Sequence, residues 1–177
     1  MRSRLAVAVI ALAAASCGGP VLYVAADLPR FCILQANVAF PAAPAGVPLP
    51  AVSTSFTLDL NDAVPLLRTS GAETELHIDD VEVIPRSGAP DLSGVATAVV
   101  NALGPSGESV RILAYDRAAA APPPAQLVLT GDGGDVAPLL VSGNATFQIT
   151  AAGQPPATAW TADVKTCAHG KSKVPYP

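Results

Sequence analysis

The sequence predicts an all-β fold: an antiparallel β-sandwich of about seven or eight short strands, with a small β-barrel as the alternative. Three observations predict it. Apolar and polar residues alternate with period two in one segment after another. Gly- and Pro-bearing turns separate those segments, and no long stretch carries the apolar period of an amphipathic helix. Half of the 177 residues are hydrophobic and 14% are charged, a balance that suits a chain with a buried core rather than a disordered one.

Taken in order, Cys32, Leu34, Ala36, Val38 and Phe40 share one parity, which predicts a half-buried strand with all five on one face. Pro41 to Pro50 reads as a Pro/Ala loop. Phe56, Leu58 and Leu60 alternate with Thr57 and Asp59 as a second strand. Between Glu73 and Ile84, Leu76 and Ile78 fall on one parity and Val81 and Val83 on the other. That phase slip at Asp79-Asp80 predicts a β-bulge. Val95 to Leu103 and Ser109 to Tyr115 are strands joined by the turn Gly104-Pro105-Ser106-Gly107. Asp91 to Leu103 has the length of a helix, but Gly94, Thr97, Val99 and Val100 oppose one. Ala118 to Pro124 is an exposed Ala/Pro connection. Leu127 and Leu129, then Ala145, Phe147 and Ile149, then Trp160, Ala162 and Val164 mark the last three strands, with Trp160 a core residue.

One internal echo stands out. Asp62-Ala-Val-Pro-Leu-Leu-Arg-Thr-Ser-Gly71 resembles Asp135-Val-Ala-Pro-Leu-Leu-Val-Ser-Gly143. Asp suits the start of a single helical turn, and Pro is tolerated within that turn because its missing N–H would be unpaired anyway. The echo reads as two similar corners whose Leu pairs plug one end of the fold, or as a chance match in an Ala/Pro/Leu-rich chain.

The side chains offer little catalytic chemistry. No G-x-S-x-G elbow accompanies the two histidines, His77 and His169; His77 sits on the outward parity of its strand and His169 in the C-terminal stretch. Asp79, Asp80 and Glu82 form an acidic face, and Gly131-Asp-Gly-Gly-Asp135 is a glycine-rich turn. Asp79, Asp80, Asp132 and Asp135 are therefore the calcium candidates, set against the simpler roles of a solvated acidic face and a tight turn before a cap. The sequence predicts no other metal, no catalytic residue and no cofactor. No phosphate-cradling glycine loop precedes a helix, which excludes a nucleotide partner. The 14 acidic residues against 10 basic ones, with no basic stripe, exclude nucleic acid.

The N-terminus carries the clearest signal. Arg2 and Arg4 precede an uncharged apolar run from Leu5 to Ala15, followed by Ser16 and Cys17. The run is shorter than the roughly 20 residues a membrane-spanning helix needs, and it has the form of an export signal. The segment Ala14-Ala15-Ser16-Cys17 resembles the lipobox of a bacterial lipoprotein signal peptide, although the family prefers Leu where Ala14 stands. The resemblance implies cleavage before Cys17, lipidation of Cys17 by diacylglycerol and an acyl chain, and attachment to a membrane; the alternative is an ordinary signal cleaved after Ala15, since Ala13-x-Ala15 also fits that pattern. The remainder is loosely similar to small bacterial envelope lipoproteins. Gly18, where Asp would favour retention at the inner membrane, points to the outer membrane or the cell-surface face.

Export also bears on the cysteines. With Cys17 assigned to the lipid, Cys32 and Cys167 remain, and an oxidising compartment predicts a disulfide between them; two separate buried thiols are the alternative. Such a bridge closes a loop of about 134 residues, worth roughly 5 kcal/mol at most in the chain-entropy picture. The expected organisation is a signal peptide over 1–16, a lipidated tether over 17–29, the β domain over 30–167 and a flexible tail over 168–177. The expected function is a non-catalytic structural or interaction role in the cell envelope, with an envelope protein or glycan as partner. A ligand-binding module for Ca²⁺, glycan or peptidoglycan at the loop ends is the alternative, and a hydrolase the weakest reading.

Overall fold

A computed structural model describes residues 22–87, 92–117, 125–131 and 133–175. These residues form β1 (Tyr23–Phe40), β2 (Ala51–Asp59), a 3-10 turn (Pro65–Arg68), β3 (Glu73–Ser87), β4 (Val95–Leu103), β5 (Ser109–Asp116), β6 (Leu127–Thr130), a second 3-10 turn (Ala137–Leu139), β7 (Asn144–Gly153) and β8 (Trp160–Pro175). All eight strands join one antiparallel sheet in the order β1-β8-β3-β6-β5-β4-β7-β2. The sheet curls until its two end strands meet, where the Thr54 hydroxyl donates to the Ala39 carbonyl at 2.7 Å. The fold is thus all-β, as the alternation predicts, and its nearly closed single sheet is compatible with the barrel alternative. Among the described residues no helix is long and apolar enough to cross a membrane.

Inward side chains fill the interior as one cluster, in which Leu76, Val81, Phe147, Ile149 and Val164 are fully buried. Phe40 stacks on Trp160 with ring centroids 4.1 Å apart. Phe56 packs on Phe147, its direct cross-strand partner, at 5.7 Å. Such aromatic pairs add to simple area burial. The expectation of a core Trp160 holds.

β8 keeps one unbroken parity: every second residue from Trp160 to Ser172 is buried, and on the other parity only Asp163 and Cys167 are. Its two neighbours do not keep one parity. β3 shifts register against β8 between Ile78 and Asp80 and again between Pro85 and Ser87, and the first shift is the bulge that the sequence predicts. β1 shifts between Leu28 and Phe31 and between Gln35 and Val38. The second of these corrects the sequence expectation for that strand. Asn37 takes a left-handed φ of 56°, the parity flips there, and Val38 and Phe40 point inward while Cys32 and Leu34 point outward. Phe31 and Ile33 supply the inward contacts before the bulge. Bulges bend and twist a strand, which helps this wall curl toward closure.

The ends of the expected domain are also corrected. Residues 23–29, expected as tether, and 168–175, expected as flexible tail, pair with each other as the outer parts of β1 and β8. On its other side, Gly170 permits the close approach of β3 to β8, since a Cβ would sit 2.2 Å from the Glu75 carbonyl oxygen.

Candidate functional site

The outward residues of β8 form a ladder in which successive side chains find partners on the flanking strands. Thr161 meets the Ser87 hydroxyl at 2.8 Å, Asp163 meets Arg86, and Lys165 meets Glu82 at 3.1 Å. Cys167 meets Cys32, its cross-strand partner, with the two sulfurs 2.09 Å apart. His169 Nδ1 lies 2.6 Å from Asp79 Oδ1. Cys32 is exposed on the end strand and Cys167 is fully buried in the adjacent one.

The bulges of the two flanking strands are bridged across β8. Arg30, at the first β1 bulge, reaches over to Asp79 at 3.4 Å and to Asp80 at 2.5 Å, beside the first β3 bulge. At the second pair of bulges, Asp163 accepts the Asn37 backbone N–H on Oδ1 at 3.1 Å and the Arg86 guanidinium on Oδ2 at 2.7 Å. The Arg86 hydrogen bonds hold the Asp163 carboxyl below the usual carboxylate range, and the Asn37 N–H lowers it further.

These contacts give the calcium candidates Asp79 and Asp80 partners within the protein, and Asp135 has its own. Asp79 and Asp80 are engaged by Arg30 and His169 on a convex outer face instead of converging on a cavity. Asp135 Oδ1 accepts the Leu76 and Ala137 backbone N–H groups at 2.8 and 3.0 Å, fastening the corner to β3. Asp132 and Cys17 lie outside the described residues. Among the described residues no group of three or more His, Cys, Asp or Glu is arranged to hold a metal ion.

A concave site lies elsewhere, at the barrel end where β1 begins and β8 ends. The two echo segments meet there and line a cleft of about 540 Å³. Each copy forms a 3-10 turn, and each closes on a glycine of left-handed φ, +74° at Gly71 and +78° at Gly143. Leu67 and Leu140, equivalent in the two copies, both line the cleft and pack half-buried against the core. Asn61 ties the corners together by donating from Nδ2 to the Ser142 carbonyl at 3.1 Å. Gly143 must be glycine for this approach, because a Cβ there would meet Asn61 Oδ1 at 2.2 Å. The polar side chains of the lining are Asn61, Thr74 and Ser142, and among the described residues no ionisable group takes part in it. Among the described residues the lining is thus neutral and amphipathic.

No protein-family model, curated protein or solved structure matches the chain. Sequence reasoning paired Cys32 with Cys167 and singled out Asp79, Asp80 and the echo. It missed Arg30, Asn37 and Arg86, whose roles arise only when bulges on separate strands face each other across β8. It also set His169 aside as a residue of the tail.

Proposed function

We propose that the chain is an exported, lipid-anchored protein of the cell envelope with a non-catalytic interaction role. It engages an envelope glycan or protein segment through the cleft between its two 3-10 corners. One observation carries this reading: the cleft lies at the barrel end from which β1 departs, and its described lining pairs the apolar Leu67 and Leu140 with the neutral polar side chains Asn61, Thr74 and Ser142. Binding without acid–base chemistry fits such a lining. Cys17 stands six residues before Tyr23, so an extended chain between them spans at most about 20 Å. An anchor at Cys17 therefore keeps the cleft close to the membrane surface and to the wall material or protein beside it. Two or more acyl chains on Cys17 supply durable attachment, since a single chain binds a bilayer only marginally.

The experiment has two arms. Cys17→Ala should move the protein from the membrane fraction to the soluble one; unchanged fractionation would refute the anchor. Isolated peptidoglycan sacculi should retain the wild-type protein and lose it on Leu140→Arg, which places a charge in the cleft. Retention unaffected by that substitution, in a protein that stays folded, would refute the cleft as the glycan site.

A further inference from the structure

The chain has only two histidines, and the fold brings them together. His77 and His169 are direct cross-strand partners on β3 and β8, with ring centroids 5.5 Å apart and planes 20° from parallel. Each ring is held by its Nδ1. The His77 Nδ1 faces the Gly133 carbonyl oxygen at 3.0 Å, and a carbonyl only accepts, so this nitrogen carries the proton. The His169 Nδ1 faces Asp79 Oδ1 at 2.6 Å, and the carboxylate assigns the proton there in the same way. In the neutral imidazoles both Nε2 atoms then keep their lone pairs, and neither has a partner among the described residues. Metal-binding histidines carry this arrangement, the second ring nitrogen donating to a carbonyl or carboxylate that fixes tautomer and orientation.

From this geometry we infer that His77 and His169 form a surface site for one divalent transition metal, bound through the two Nε2 atoms. Water or a partner's ligand occupies the remaining positions. Imidazole nitrogen selects copper and zinc over calcium or magnesium, and copper binds a given nitrogen site most tightly. The surroundings favour a cation: Asp79 and Asp80 together outweigh Arg30 by one negative charge, and Asp135 lies directly across from His77. Metal–nitrogen distances of about 2.0–2.1 Å at both Nε2 atoms require the two rings, now 20° from parallel, to turn toward each other about their side-chain bonds and loosen the Nδ1 contacts.

Cu²⁺ added to the purified full chain at one equivalent tests the site. Electron spin-echo envelope modulation counts the imidazoles on the metal and should report two. His77→Gln and His169→Gln should each leave at most one and weaken Cu²⁺ binding at least tenfold, with Zn²⁺ following the same order. In the unaltered protein, which needs no variant to fold, substoichiometric Cu²⁺ should broaden first the ring resonances of both histidines. One imidazole in the wild type, broadening centred away from this pair, or equal binding by the His77→Gln/His169→Gln double variant would overturn the site.

Discussion

Two walls of this barrel are built by different means. In the β2–β7 wall all nine residues of β2 pair with β7 in unbroken register, and neutral hydroxyls pair on the outside, Ser53 with Thr150 and Thr57 with Thr146. In the β1–β8–β3 wall both outer strands slip register twice against β8, and ion pairs, a disulfide and a histidine pair cross the outer face. Unbroken alternation keeps the apolar side of the first wall continuous, with hydroxyl pairs crossing its outer face. A bulged strand loses ladder hydrogen bonds and re-aims side chains, so the second wall needs cross-strand fastening and thereby gathers polar groups in one place. Clustered chemistry in a β-protein is here a product of irregular pairing.

The largest expected effect breaks the apolar wall. Phe147 is fully buried against Phe56, and Phe147→Ala should cost about 3–5 kcal/mol, read as a lower urea midpoint at unchanged slope. The disulfide comes next. Cys32→Ser with Cys167→Ser should cost about 2–5 kcal/mol and speed amide exchange in β1 before it does so in β2 or β7. Uniform acceleration across all strands would erase the distinction between the walls. The smallest effect appears only in acid. Asp163 has a lowered carboxyl in the fold, so its contribution is fully present above the ordinary value of 3.8. It is lost as the pH falls below that value and through the lowered one. Arg86→Gln should flatten that part of the stability–pH curve, and an unchanged acid limb would deny Asp163 its role.

How legible each wall was in the sequence follows from the same contrast. The bulge at Asp79-Asp80 was readable because large aliphatics change parity across it, from Leu76 and Ile78 to Val81 and Val83. The slip at Asn37 was hidden, since both parities of β1 are apolar there: Phe31 and Ile33 on one, Leu34 and Ala36 on the other. The end of β8 looked like a tail because its inward positions are Gly170 and Ser172, and Ser172 is buried through its hydroxyl contact with Thr74 at 3.1 Å. The echo was visible as a string of residues. That its two copies share one cleft depends on a strand order that separates β3 from β7 by three intervening strands, which no local pattern encodes.

On the proposed reading, the Cys32–Cys167 bridge that fastens the bulged wall forms in an oxidising compartment, which the chain reaches through a signal ending at Cys17. Intact-mass spectrometry of the protein extracted from its host membrane, before and after reduction, tests this sequence of dependences at once. The account predicts a chain beginning at Cys17, heavier by a diacylglyceryl and an acyl group, that gains the mass of two hydrogens on reduction. A chain beginning at Ser16 without lipid, or one whose mass reduction leaves unchanged, would contradict it.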